Sequence, residues 1–215
     1  MRARELTPVI HVKNQEQAFK NIETCIDSEI GLCWLIGHNL DNLELIRIAY
    51  KAKEKYKRDG IKIGINCLGM TYDDVTMFAN GIEYVWTDNC YAEPRDLKIR
   101  RNHTYFGGVS FKYQNPRFSL EDDCVNAISF VDVVTTSGDA TGSPPTLEKI
   151  KLIHSYVNPH QIAIASGINK DNISQFLPYV DYYLVATGIS KSWDELDIDK
   201  VQELQKIIER FNYNV

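Results

Sequence analysis

Short runs of β-branched and aromatic residues alternate with amphipathic segments along the whole chain. The runs predict eight β-strands, at residues 8–12, 32–37, 62–66, 83–89, 105–113, 131–137, 161–166 and 182–187. Between them, apolar residues recur with helical spacing, as in Leu147, Ile150, Ile153 and Val157. A strand followed by a helix, repeated in series, is typical of a parallel sheet, because parallel neighbours need a crossover connection.

Capping residues indicate where several of these helices begin. Asp41, Thr71 and Ser119 each precede an acidic residue three positions on, which is the spacing of a capping box. Segment 90–102, CYAEPRDLKIRRN, has weak periodicity and a proline, so it predicts a short or irregular fourth helix. After the seventh strand we expect a helix that carries Ile173 and Phe176 on its buried face.

Eight strand–helix units favour the α/β class and a (β/α)8 TIM barrel, in which eight parallel strands close into a barrel. A length of 215 residues lies at the short end of this fold. No repeat or low-complexity linker interrupts the pattern, so we expect one barrel domain over residues 1–215. A doubly wound open sheet is the competing architecture, but the G-x-G-x-x-G sequence typical after its first strand is missing.

Composition and charge exclude several classes of protein. Lys and Arg number 24 and Asp and Glu 29, so the net charge of −5 lacks the basic footprint of a nucleic-acid binder. No apolar run approaches the roughly 18 residues of a membrane span, and we expect no secretory signal. Five cysteines without a C-x-x-C pair suit reduced thiols in a cytoplasmic protein. We expect no metal site and no cofactor.

The polar residues at the carboxyl ends of the strands are the candidates for catalysis, because TIM-barrel active sites lie there. Strand alternation places Asp88 and Lys112 on inward faces of the neighbouring fourth and fifth strands, and turns Phe111 toward the helices. A carboxylate and a lysine side by side can divide acid–base work, or they can form a buried ion pair. Asn66 and His11 complete the predicted catalytic set.

Two glycine turns come after the seventh and eighth strands, where TIM barrels recurrently bind phosphate. The turns are Ser166-Gly167-Ile168 and Thr187-Gly188. Exposed backbone N–H groups beside a helix start favour an anion, so these five residues are the predicted phosphate site. Glycines that only make tight turns are the alternative.

Segment 135–145, TTSGDATGSPP, is rich in hydroxyl residues and glycine. Such a loop can enclose a polyhydroxylated or phosphorylated ligand, although a purely structural loop has the same composition. The predicted substrate-binding residues are those of this loop together with two polar strand-end residues: Ser137, Gly138, Asp139, Thr141, Gly142, His38 and Asn89. Trp86 and Tyr113 are candidates for stacking on a planar ring.

The chain from about residue 62 onward resembles the BtpA family, through segments such as GINCLGMTYDDV, FGGVSFKYQ and IAIASGINKDNISQFLPYVDYYLVATGIS. Asn66 and Lys112 match an asparagine and a lysine of that family, residues 137–142 match its S-G-x-x-T-G pattern, and Ser166-Gly167 matches its S-G turn. The first strand lacks the family's long Pro- and Gly-rich loop, and WTDN at 86–89 departs from its fourth strand. The resemblance implies a divergent subfamily with a TIM barrel related to the phosphate-binding barrels. Some members of the family are linked to photosystem I biogenesis or to sugar operons.

The residues and the resemblance support two functional hypotheses. The first is an enzyme acting on a phosphorylated sugar, phosphoribosyl or nucleotide-like molecule, with lyase, isomerase and glycosyl or phosphoribosyl transfer all open. The second is a non-catalytic BtpA-like barrel that binds a phosphorylated metabolite or a protein complex in assembly or regulation. The convergence of Asn66, Asp88 and Lys112 favours the enzyme. The expected partner is a phosphorylated small molecule, and the sequence leaves a homo-oligomer open.

Overall fold

Eight parallel strands form a closed barrel in which each strand pairs with the next and β8 pairs with β1. The structure is a computed structural model that describes residues 3–90, 102–114 and 118–214. The strands are β1 Glu5–His11, β2 Leu32–Ile36, β3 Lys62–Asn66, β4 Tyr84–Thr87, β5 Thr104–Gly108, β6 Val133–Thr136, β7 Gln161–Ile164 and β8 Tyr182–Val185. The predicted TIM barrel is confirmed.

The helices of the described residues surround the barrel. They are α1 Gln15–Asp27, α2 Asn42–Lys55, α3 Tyr72–Phe78, α4 Leu120–Ala127, α5 Leu147–Val157 and α6 Ile198–Tyr213, with 3-10 turns at Ile173–Gln175 and Thr187–Ile189. None of the helices in this described part is long and apolar enough to cross a membrane. The irregular helix predicted over 90–102 falls almost wholly on residues 91–101, which lie outside the described residues.

The capping residues act as the sequence predicts. Thr71 forms a reciprocal capping box with Asp74, and the Ser119 side chain accepts from the backbone N–H of Asp122. The prediction of a full helix after β7 is wrong, since the described residues between β7 and β8 form only the 3-10 turn Ile173–Gln175. Asn172 explains this, because it donates to Gly167 O at 2.8 Å and accepts from Asn169 N at 3.0 Å, which folds the segment into a turn.

Aromatic rings fill the inside of the barrel. Trp34 is fully buried, with its ring centroid 4.8 Å from that of Phe106 and 5.9 Å from that of Trp86. A Cβ at Gly64 would lie 2.5 Å from the Trp34 ring, so only glycine leaves room for this tryptophan. The barrel interior is therefore filled below Trp86, and a cavity opens above it at the carboxyl ends of the strands.

The fifth strand is shorter than predicted, and this changes the position of the residues after it. β5 ends at Gly108, where a Cβ would lie 1.9 Å from the backbone oxygen of Asp88, and Ser110 then adopts a φ of +46°. Lys112 therefore lies in a loop and not on a strand face. Phe111 packs inward, 6.1 Å from the Trp86 ring, and the prediction that it faces the helices is wrong.

Candidate functional site

A cavity of about 310 Å³ opens at the carboxyl ends of the strands. Five titratable side chains line it: His11, His38, Asp88, Lys112 and Tyr113. The turn at 166–168 and Thr187 line it as well. The volume is at the lower end of the roughly 300–1,000 Å³ of small-molecule sites.

Asp88 is held by the residue that ends the neighbouring strand. Asn66, which is buried at the end of β3, donates from Nδ2 to Asp88 Oδ1 at 2.9 Å. Burial raises the pKa of the Asp88 carboxyl above its ordinary value, although the Asn66 hydrogen bond and the charge of Lys112 act in the opposite direction. A carboxyl with increased proton affinity in a cavity wall is suited to acid–base chemistry.

Lys112 is positioned through its backbone. Its N–H donates to Ser137 Oγ at 2.7 Å, and its Nζ lies 5.7 Å from the centre of the Phe111 ring. Among the described residues, no carboxylate lies within ion-pair distance of Nζ, so Lys112 and Asp88 line the same cavity without neutralising each other. The positive charge is therefore available to a ligand.

A half-buried lysine of α5 fixes the loops after β5 and β6. Lys149 donates from Nζ to Ser110 O at 2.5 Å and to Ser137 O at 2.8 Å. Burial lowers the pKa of this ammonium group. Gln114 donates to the backbone oxygen of Asp88, which ties the loop after β5 to that after β4. The loops that carry Asp88 and Lys112 are thus joined by hydrogen bonds.

His11 is fixed in one tautomer by Trp193. Its Nδ1 lies 3.0 Å from Trp193 O, and the two rings stack with centroids 3.9 Å apart. Burial, with a smaller effect of His38, lowers the pKa of His11 to about 4, so the ring is neutral at pH 7. Because a carbonyl only accepts, Nδ1 carries the proton and Nε2 is left as an acceptor.

His38 stands beside this pair, with its ring 5.0 Å from His11 and 5.2 Å from Trp193. Burial and the charge of Lys112 lower the pKa of His38. Trp193 is a site residue that sequence reasoning missed. Its only signal is an aromatic residue in a polar stretch after the eighth strand, and its contact with His11 spans 182 positions of the chain.

The two glycine turns are packed against other backbone. Gly167 has a φ of +66°, and a Cβ there would lie 2.2 Å from Pro144 N. A Cβ at Gly188 would lie 2.1 Å from Ile168 O, so the turns after β7 and β8 touch each other. Within the described residues, no acceptor is bonded to the N–H groups of Gly167, Ile168, Thr187 or Gly188. These N–H groups are free to bind an anion.

Some residues of the loop after β6 determine its shape, and others line the cavity. Ser137 donates to Gly138 O at 2.8 Å, and a Cβ at Gly138 would lie 2.2 Å from Ser143 O, so both residues shape the loop. Thr141 and Gly142 line the cavity. Gly142 N donates to Ser166 Oγ at 3.2 Å, which joins this loop to the turn after β7.

The structure brings most of the predicted site residues to one cavity. Asn66 lies behind Asp88, and Gly188 supports the turn after β7 without lining the cavity. Asp139 and Asn89 are exposed and do not line it. Across the described residues, no group of three or more His, Cys, Asp or Glu side chains is placed to hold a metal ion.

Proteins of known sequence and structure similar to this chain include barrels named for phosphorylated compounds. An uncharacterised protein of Thermococcus kodakarensis is 24% identical over 173 residues, 78% of this chain and 61% of that protein, so the chain spans about three-fifths of this relative. A thiamine-phosphate synthase of Clostridioides difficile is 25% identical over 182 residues, 82% of this chain and 81% of that protein. The thiamine phosphate pyrophosphorylase structure of Pyrococcus furiosus has a TM-score of 0.72 at 16% identity, with 96% of each chain covered, which shows a shared fold.

The part of the chain that carries Lys112 and both glycine turns matches a known family. The model of the BtpA family matches residues 105–210, from β5 into α6. A stretch of 60 residues is 35% identical to the photosystem I biogenesis protein BtpA of Synechocystis, covering 28% of this chain and 21% of that protein. Residues 105–210, about half of the chain, are therefore similar to the BtpA family.

Proposed function

We propose that this chain is an enzyme acting on a phosphorylated small molecule of the sugar-phosphate, phosphoribosyl or nucleotide-like class. The observation that carries the proposal is the composition of one cavity, in which His11, Asp88 and Lys112 share the walls with the glycine turns after β7 and β8. Similarity to a thiamine-phosphate synthase, whose name specifies a phosphorylated compound, supports the same class of ligand.

The phosphate is assigned to the turns at 166–168 and 187–188. Their free N–H groups suit phosphate oxygens, which accept hydrogen bonds in several directions. Thr187 adds a hydroxyl at an exposed position on the cavity wall. A phosphate bound here leaves the rest of the ligand directed along the cavity toward Asp88 and Lys112.

Asp88 is assigned the proton transfer. Its carboxyl has increased proton affinity because it is buried, and Asn66 holds one oxygen so that the other can meet a ligand proton. Lys112 supplies a fixed positive charge where negative charge develops as that proton leaves. His11 accepts a hydrogen bond from the ligand through Nε2. Lyase and isomerase chemistry can begin with such a proton transfer, and in a transferase the same carboxylate can accept the proton of the attacking nucleophile.

A binding-only role in assembly or regulation does not need this arrangement. Ionisation of a partly buried carboxyl whose pKa is raised costs stability, and a direct ion pair with Lys112 would offset part of that cost. The structure keeps the two groups apart on loops that hydrogen bonds join to one another. Such costly preorganisation favours catalysis over simple retention of a ligand.

The proposal is tested first by binding. We expect ribose 5-phosphate to bind in isothermal titration calorimetry while ribose does not. Thr187→Glu puts a carboxylate at the phosphate site and should weaken that binding at least about tenfold. Ser155→Glu, which adds the same charge at an exposed position of α5, is the control. Equal binding of ribose 5-phosphate by both variants contradicts the assigned phosphate site.

Catalysis is tested by incubating the protein with sugar phosphates and mononucleotides and following them by ³¹P and ¹H NMR. We expect conversion of at least one compound by the wild-type protein and none by Asp88→Asn. Binding without conversion of any compound that binds, under conditions where the protein is folded, favours the binding-only role.

A further inference from the structure

An exposed aromatic ring stands at the rim of the cavity on a rigid support. Trp193 is 51% exposed, and it belongs to the segment 190–196, named here the Trp193 loop. Asn21 of α1 is buried; it donates to Asp194 O at 2.8 Å and accepts from Leu196 N at 2.8 Å. The backbone just beyond Trp193 is therefore fixed, while about half of this residue, on the side not covered by His11 and His38, stays exposed.

A second set of contacts ties the same loop to the barrel. Gln17 donates to the backbone oxygens of both His11 and Asp194, and Lys20 forms an ion pair with Glu195 at 2.8 Å. The loop also closes on itself, since Lys191 N donates to Glu195 O at 2.8 Å. Trp193 differs from other exposed aromatic residues in that it both lines the cavity and stacks on His11, so its exposed surface is offered to a ligand there.

The cavity wall combines an aromatic surface with anion-binding groups. Trp193 stacks on His11, with His38 beside both rings. Leu68 and Trp86 add apolar surface to the same cavity. The turn at 166–168 and Thr187 line it as well, with free N–H groups at Gly167, Ile168 and Thr187. A ligand that contacts both surfaces carries a phosphate group and a flat, apolar face.

We propose that the ligand bears a planar heterocyclic or aromatic ring, and that Trp193 is the residue that selects it. This inference rests on the proposed function and names its substrate class. A sugar phosphate without an aromatic ring would leave the exposed surface of Trp193 in contact with water, whereas a planar ring stacked on Trp193 would cover it. The Nε2 acceptor of His11 further favours a ring that carries an N–H or O–H donor.

Calorimetric titration with a matched series of phosphates tests the proposal. The probes are ribose 5-phosphate, which has no aromatic ring, and AMP, UMP and nicotinamide mononucleotide, which add a planar base to the same sugar phosphate. We expect at least one mononucleotide to bind at least about tenfold more tightly than ribose 5-phosphate. Because Trp193 is the exposed tryptophan of the three, that mononucleotide should also quench the protein's emission.

Variants separate the ring from the phosphate. Trp193→Leu should abolish the preference for the mononucleotide and leave the affinity for ribose 5-phosphate within about twofold, whereas Trp193→Phe should retain most of the preference. Phe118→Leu removes another exposed ring, one that does not line the cavity, and should change neither affinity. Thermal unfolding checks that each variant is folded.

The outcomes distinguish this inference from the proposed function. If ribose 5-phosphate binds tightly and no mononucleotide binds more tightly, the inference of a planar ring is wrong, but the proposed phosphate site is still supported. A preference that persists in Trp193→Leu overturns the role of Trp193. If none of the four phosphates binds the wild-type protein, both the ring and the phosphate site are overturned.

Discussion

Asn66 Nδ2 donates to Asp88 Oδ1 at 2.9 Å, which links the last residue of β3 to the residue immediately after β4. The bond orients the Asp88 carboxyl, and burial raises the pKa of that group. An amide that holds one oxygen of a carboxyl leaves the second oxygen free for chemistry. Under the proposed function, Asp88 is therefore the reacting group and Asn66 the residue that positions it.

Asp88→Asn should abolish turnover without destabilising the protein. The folded protein binds a proton at Asp88 more tightly than the unfolded chain does, so ionisation of this group lowers stability as the pH rises through its raised pKa. An amide removes that penalty, and its oxygen still accepts from Asn66. We expect unchanged or slightly higher stability at pH 7, by up to about 1 kcal/mol, in urea denaturation. A large loss of stability would contradict the functional assignment.

Lys112→Met should reduce turnover of an identified substrate by at least about 100-fold and change stability by less than about 0.5 kcal/mol. The side chain keeps its length but loses the charge, and its Nζ has no ion-pair partner among the described residues. Lys57→Met, at an exposed position outside the cavity, is the control for loss of a charge. Full activity of Lys112→Met would show that the charge is not used.

His11 should remain neutral far below the usual range of histidine. Burial is the main cause that lowers its pKa to about 4, from an ordinary value of 6.5. A histidine with a depressed folded pKa takes up protons on unfolding, so its contribution to stability is lost as the pH falls from about 6.5 to about 4. Nitrogen-15 NMR should show the proton on Nδ1 at pH 6, and His11→Gln should flatten the stability profile between pH 6.5 and 4.

A signal for a proton on Nε2 of His11 at pH 6 would contradict the contact with the Trp193 carbonyl. His38 and His103 also have pKa values lowered by burial, so they keep part of the acid sensitivity in the variant. The variant should therefore reduce the slope of stability against pH and not remove it. An unchanged slope would show that His11 titrates normally.

The barrel could be predicted because its pattern is local and repeated. Each strand–helix unit is encoded by its own apolar spacing and caps, such as Thr71 with Asp74. The strand ends could not be predicted in the same way. β5 stops at Gly108 because the backbone of Asp88 passes against it, and that contact depends on a different part of the chain.

The candidate site was predictable only where it lies at strand ends. Asp88 and Thr187 could be found by that rule, since polar residues there converge on one mouth. Lys112 also lines this cavity, but strand alternation could not predict it, because the backbone at Ser110 adopts a left-handed conformation after the end of β5. Trp193 depends on long-range contacts of its loop with α1, which leave no local pattern in the sequence.

Gly188→Ala should destabilise the protein, although a tight turn alone would tolerate the change. A Cβ at Gly188 would lie 2.1 Å from the backbone oxygen of Ile168, so the turn after β8 must move away from the turn after β7. We expect a loss of about 1–3 kcal/mol in urea denaturation, the cost of overpacking, together with weaker binding of ribose 5-phosphate. Gly31→Ala is the matched control, because no atom lies within 4 Å of its Cβ position, and it should be neutral or slightly stabilising. Equal stability of the two variants would show that the turns after β7 and β8 do not depend on their close contact at Gly188.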